Sequence, residues 1–355
     1  MTLTSLINTV LHHRSIRLAA QPAVCTAAKG SRIEFIDLAK GVCILLVVLL
    51  HSEVLPFDLP NFKAVRMPLY FILSGLFFRD YGNIAVFLEK KINRMVVPFL
   101  FFIFLNLAIY FAIQLLVTGQ PVHWEWIYMP FTDRIYVNYP LWFLICLFNV
   151  NVIFSLIYRL TRISSIQMGM CLACAATGYY LFRQGIQLPL HLDTALTAMP
   201  FFCAGRLLAG TTLFFPNRYD NLSMPMGIGL CALSFLIYSV GGTQCIDFLS
   251  NQYFGSLPLI YLNSLLFTIG IMMICKSIGH LPVISYMGRY SIIILCTHYL
   301  YLLNIGTVLN HFVDPVTAKW GTIFGMTILL SFTIPLCRRY LPRFTAQKDL
   351  IHIVK

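Results

Sequence analysis

Lys40 and His51 stand eleven positions apart in DLAKGVCILLVVLLH (Asp37 to His51), a stretch that is otherwise almost entirely hydrocarbon. Eleven helical residues complete almost three turns and rise ~16 Å, so a cation and an imidazole leave one helix face at two depths. Histidine titrates near neutrality and is suited to take a proton from a weak nucleophile and return it later. Lysine supplies a compact positive charge for anionic groups. Ionisable groups inside a membrane span cost roughly 2.5–3.5 kcal/mol each on insertion scales and tend to face an interior cavity. The pair therefore reads as two stations on a path through an apolar bundle. Both residues also have structural readings. A buried His can simply bond a backbone carbonyl, and Asp37, three residues before Lys40 on the same face, can neutralise it.

The elements that must carry these residues are ten apolar segments, at about 35–54, 65–79, 95–117, 140–158, 166–182, 195–214, 223–240, 257–275, 283–304 and 318–337. With the N-terminus in the cytoplasm, only Lys63, Arg66, Arg134, Arg183 and Lys319 of the 25 Lys and Arg fall on the far side. That bias matches ten spans with both ends cytoplasmic. The fold class expected is all-α, a single integral-membrane bundle of about ten transmembrane helices. A polar basic tail (1–33) without a signal-peptide core precedes the bundle (34–338), and a second cytoplasmic tail (339–355) follows it. Segment 84–94, IAVFLEKKINR, is amphipathic and is expected to lie at the cytoplasmic interface. Segment 118–139, with Trp124, Trp126, Tyr128, Tyr136 and Tyr139, is expected to form an aromatic belt or a surface on which a sugar stacks.

Composition narrows the function classes. Hydrophobic residues make up 59% of the chain and charged residues 11%, less than half the usual share in soluble domains. The net charge of +12 comes from basic residues at the ends of apolar runs, which is membrane topology rather than a nucleic-acid surface. The eleven cysteines lie mostly inside apolar segments and read as small buried hydrophobes, with Cys245 expected on the outside. Cys171 and Cys174 form a CxxC without a second ligand pair, and no HExxH spacing occurs, so no metal site is expected.

Six strings in order resemble the acyltransferase-3 family of multi-span bacterial membrane enzymes, especially its fucose 4-O-acetylase-like branch. They are RIEFIDLAKGVCILLVVLLH (32–51), RMPLYFILSGLFF (66–78), EKKINRMVVPFLFF (89–102), PLWFLICLF (140–148), AMPFFCAGRLL (198–208) and ISYMGRYSIIILCTH (284–298). In that family a basic residue, often Arg, is separated by ten residues from a histidine in the first span; here Lys40 and His51 match. Lys91 and Arg94 match a basic motif before the third span, again with Lys where Arg is common. Lys does not reproduce a bidentate Arg clamp. The resemblance implies transfer of an acyl group, usually acetyl, from cytoplasmic acyl-CoA to a hydroxyl of a sugar or glycan, free or lipid-linked.

Residue by residue, that chemistry assigns roles. A thioester expels a stable thiolate unaided, whereas a sugar hydroxyl needs a base, and His51 is placed to be one. Lys40, with Lys91 and Arg94, is expected to hold the phosphates or the pantetheine arm of acetyl-CoA; a positive-inside anchor is the other reading of Lys91 and Arg94. Arg66, starting the second span at the level of His51, is expected to orient the acceptor or stabilise the tetrahedral oxyanion. Glu53 is its alternative ion-pair partner. Trp142 and His298 are expected to line the acceptor side, with packing as the competing reading. Ser74 and Gly75 are expected to allow close helix approach. The histidines at 12, 13, 123, 191, 280, 311 and 352 are expected to lie outside the site. The function expected is a multi-pass O-acetyltransferase of the bacterial inner membrane using acetyl-CoA and no metal. Its partners would be a glycan and membrane lipid, not nucleic acid. A glycan or lipid transporter is the alternative, disfavoured because no paired broken helices or repeated halves are evident.

Overall fold

A computed structural model describes residues 33–52, 60–119, 121, 123–132, 135, 138–211, 213, 214 and 220–352. Most of the N-terminal tail, Glu53 and Arg134 lie outside the described residues. Of the described residues, 79% are helical. In order, the α-helices of eight or more residues among the described residues are α1 (Glu34–His51), α2 (Pro60–Leu76), α3 (Ile84–Lys91), α4 (Val97–Ile113), α5 (Trp142–Leu160), α6 (Ser164–Arg183), α7 (Leu192–Leu208), α8 (Ser223–Gly241), α9 (Leu257–Ile278), α10 (Pro282–Arg289), α11 (Ser291–Leu309) and α12 (Pro315–Tyr340). One antiparallel hairpin, β1 (Cys245–Asp247) with β2 (Gln252–Phe254), joins α8 to α9 and pairs Ile246 with Tyr253.

Every one of the ten predicted segments is represented by a helix of at least 17 residues. Among the described residues, six stretches are long and apolar enough to cross a membrane: Ile84–Leu116, Tyr139–Leu160, Asp220–Gly241, Leu257–Ile278, Ser291–Leu309 and Pro315–Tyr340. Of the others, α1 carries Glu34, Asp37 and Lys40, and α2 and α7 stop at 17 residues. The protein is a multi-pass membrane protein. Val240, Phe324 and Phe332 point outward from α8 and α12, a liability in water and the expected covering against lipid.

Three elements show detail beyond the sequence expectations. Segment 84–94 is continuous with the next helix: α3 runs into α4 through a π-turn at Ile92–Val96, where Val97 N–H bonds Ile92 O. Pro98 explains the register change, because it has no N–H to continue the i→i−4 ladder. The ninth segment is broken at Tyr290 into α10 and α11. Cys245, expected on the outside, is buried in β1.

Lipid tails are as apolar as the helices, so association rests on close backbone approach rather than on hydrophobic burial. Gly41 of α1 and Gly288 of α10 face one another: a Cβ on Gly41 would lie 1.9 Å from the Ile284 carbonyl, and one on Gly288 1.8 Å from that of Asp37. Gly75 of α2 and Gly205 of α7 form a second seam, with Phe202 O and Ile72 O at 1.9 and 2.0 Å from the added carbons. Helix α1 thereby sits against α2, α9, α10 and α11, and these neighbours build the site around it.

Candidate active site

His51 occupies the last turn of α1, where Ser52 caps the helix by donating its N–H to Val48 O. Its Nδ1 lies 3.0 Å from Nε2 of His298 on α11, with the two rings stacked at 5.2 Å. His298 is fully buried, and its own Nδ1 is 2.8 Å from the Ile294 carbonyl. A carbonyl only accepts, so His298 Nδ1 carries a proton and donates it there. In the neutral pair His298 Nε2 then accepts from His51 Nδ1–H. That leaves His51 Nε2 as the nitrogen with a free lone pair. The arrangement can accept a proton at His51 Nε2 and steady the resulting imidazolium through His298, the orienting service a carboxylate performs in a Ser-His-Asp triad.

Tyr139 and Tyr299 meet the His51 ring edge-on at 5.5 and 5.7 Å. Tyr139 is held there by Asn138, whose left-handed backbone (φ 55°) turns the chain and whose Nδ2 donates to Cys296 O of α11 at 2.7 Å. Asparagine tolerates that conformation better than most residues.

Two cavities flank this centre. The larger, about 470 Å³, is lined by His51, Arg66, Lys63, Tyr139, Trp142 and Asp247 among others. The smaller, about 240 Å³, is lined by Lys40, Lys91, Arg94, Tyr70, Ser74 and Ser291 among others. Four helices run past both. From the Lys40 cavity to the His51 cavity, α1 goes from Lys40 to His51, α2 from Phe77 to Arg66 and α5 from Leu147 to Trp142; α11 runs from Ser291 in the first to Leu295, which lines both. Phe143 is the other residue lining both cavities. The two are neighbouring compartments that share Phe143 and Leu295 in their linings.

The structure brings Lys40, Lys91 and Arg94 together, although α1 and the α3–α4 junction are some 50 residues apart in sequence. Arg94 is exposed at the mouth of its cavity, and Tyr70 Oη donates to the Lys40 carbonyl at 3.2 Å. Asp37 approaches Arg289 at 3.8 Å. Arg66 and Trp142 line the His51 cavity. His298, expected to bind the acceptor, lies outside both linings and touches His51 instead. His191, expected outside, is buried with its ring 5.4 Å from that of Trp142. Ser74 Oγ accepts from Asn151 at 3.2 Å. Glu53, proposed beside Arg66, is outside the described residues.

Sequence reasoning missed Lys63 and Asp247 as cavity residues, and had Tyr139 only as part of an aromatic segment. Lys63 lies three residues before Arg66 and so shares its helix face, a signal that was available. Asp247 reaches the cavity on a strand too short to announce itself. A smaller cavity of this volume falls below that of sites enclosing a drug-sized ligand. Its apolar wall (Leu73, Phe77, Leu144) and three cations make a narrow slot whose lining combines hydrocarbon with positive charge. Among the described residues no group of three or more His, Cys, Asp or Glu is arranged for a metal ion, and every described cysteine is a free thiol.

Comparison with curated proteins and with solved structures yields no match. The family profile described as an acyltransferase domain, that of the acyltransferase-3 family, matches residues 33–337. This span contains both cavities and the His51–His298 pair, and the chain belongs to the acyltransferase-3 family of membrane acyltransferases.

Proposed function

We propose that this acyltransferase moves an acetyl group from cytoplasmic acetyl-CoA to a hydroxyl of a sugar or envelope glycan, as a fucose 4-O-acetylase-like enzyme of the bacterial inner membrane. In this reading ten helices span the bilayer, both termini are cytoplasmic and the Lys40 cavity opens to the cytoplasm. The observation that carries the reading is the division of groups between the cavities: Lys40, Lys91 and Arg94 on one side, His51 and Arg66 on the other.

The donor's pantetheine arm enters beside Lys40, while Lys91 and Arg94 compensate its phosphates. The acceptor binds in the larger cavity against Tyr139 and Trp142, and Lys63, Arg66 and Asp247 supply its polar contacts. His51 Nε2 removes the hydroxyl proton as the oxygen attacks the thioester carbonyl. Arg66 steadies the oxyanion. The carbon–sulfur bond then breaks, and the CoA thiolate takes the proton back from His51. Each group acts where its charge develops, so no metal or acyl-enzyme is required.

The test is incubation of detergent-purified protein with labelled acetyl-CoA and a membrane glycan extract. Label enters the glycan with the wild type and is lost in folded His51→Ala. Movement of glycan across a proteoliposome without label transfer, unchanged in that variant, would replace this reading with transport.

A further inference from the structure

Phe143 and Leu295 are the two residues that line both cavities, and both are nearly inaccessible, at 4% and 6% exposure. Phe143 is wedged among the rings of Tyr70 (5.4 Å), Phe71 (5.5 Å) and Trp142 (5.9 Å). Tyr70 in turn is tied to the Lys40 carbonyl, so the ring is braced from the Lys40 side. Leu295 follows Ile294, the residue whose carbonyl bonds His298, and precedes His298 by three positions on the same helix. A side chain displaced at 295 therefore acts on the segment that fixes the histidine pair.

We propose that Phe143 and Leu295 form the partition between donor and acceptor compartments and determine which acyl groups pass. The inference rests on the acyl-transfer reading. The polar headpiece of the donor is held by cations on the Lys40 side, and His51 lies beyond the wall. Only the acyl end of the thioester has to cross, so the space between a phenyl ring and an isobutyl group sets its length. An acetyl group passes after a small rotation of these side chains. Each added methylene has to displace more of a wall that Tyr70, Phe71 and Trp142 hold in place. A hydrophobic pocket discriminates about 10–200-fold per methylene when it is well packed. The same wall keeps water of the acceptor compartment from the thioester while the acceptor is absent.

The experiment compares kcat/KM for acetyl-, butyryl- and hexanoyl-CoA in wild type, Phe143→Ala, Phe143→Leu and Leu295→Ala, all checked for monodispersity in detergent. Phe143→Ala and Leu295→Ala should raise the butyryl-to-acetyl ratio at least about tenfold and increase acetyl-CoA hydrolysis without acceptor. Phe143→Leu, which keeps an apolar side chain and tests the site if the alanine variant fails to fold, should fall between. Wild-type transfer with an unchanged ratio in every folded variant would overturn the partition and leave the acyltransferase reading intact. If the wild type transfers no acyl group, that reading fails, and the partition is decided by a second measurement. A membrane-impermeant thiosulfonate is applied from the His51 side of proteoliposomes carrying Ser291→Cys, with the parent protein as background. Labelling should require the additional Phe143→Ala change. Equal labelling with Phe143 intact, or none with it removed, disproves a wall at this place.

Discussion

His51 and His298 lie 247 residues apart, yet their facing nitrogens are separated by 3.0 Å and their hydrogen-bond order is dictated by a single backbone carbonyl, that of Ile294. The acceptor-only oxygen fixes the proton on His298, and His298 fixes the proton on His51. An α-helix thus sets the tautomer of a residue on another helix. Removing the base should lower acetyl transfer by about 10²–10⁴-fold in His51→Ala. His298→Ala should give a smaller loss, confined to kcat, because donor and acceptor contacts remain. Steady-state kinetics with labelled donor checks both; a His298→Ala enzyme with unaltered kcat ends the relay.

The three cations of the smaller cavity should separate from the base in their kinetics. A charge-assisted hydrogen bond contributes about 1.5–3 kcal/mol. Lys40→Ala, Lys91→Ala and Arg94→Ala should therefore each raise the KM for acetyl-CoA about 10–100-fold while the KM for acceptor stays put. Donor titration at saturating acceptor measures this. Normal donor dependence in Lys40→Ala would show that the lysine is only a boundary charge.

Asn93 joins the C-terminal segment to the π-turn that carries Arg94. Its Oδ1 accepts from the Leu350 and Ile351 amides at 2.7 and 2.8 Å, and its Nδ2 donates to Ile351 O and Glu89 O at 2.8 and 2.9 Å. Nearby, Lys90 pairs with Asp349 and Phe344 stacks on Phe101 at 4.5 Å. Asn93→Ala strands several backbone groups at about 1–3 kcal/mol apiece where they stay buried. Amide exchange at Leu350 and Ile351 should accelerate in that variant. Lys90 holds the Asp349 carboxyl below its ordinary range, chiefly through their hydrogen bond. A depressed carboxyl stabilises docking above the ordinary value, and the contribution is lost as pH falls through the depressed one. Tail protection should accordingly decline below about pH 4 and lose that dependence in Asp349→Asn.

Gly75 and Gly205 should not tolerate a methyl group. Carbons added there meet opposing backbone at 1.9 and 2.0 Å, so the helices have to separate. Overpacking typically costs 1–3 kcal/mol, occasionally more. Gly75→Ala and Gly205→Ala should lower the unfolding temperature in detergent markedly. Gly229→Ala on α8, with open space around the added carbon, should leave it unchanged or raise it slightly. Equal behaviour of the three variants would remove the seam from the account of folding.

The sequence by itself determined the helices, their apolar character and the face shared by Lys40 and His51, because helical period and residue type are local properties. It also carried the six family strings and the small residues Ser74 and Gly75. Tertiary structure alone decided that His298 meets His51, since no periodicity encodes a partner 247 residues away. It likewise decided that a three-residue strand delivers Asp247, that Asn138 bends Tyr139 against the imidazole, and that Phe143 and Leu295 line both cavities. Those relations arise where separate helices meet, and close backbone contact at Gly41–Gly288 and Gly75–Gly205 sets the distances at which they do.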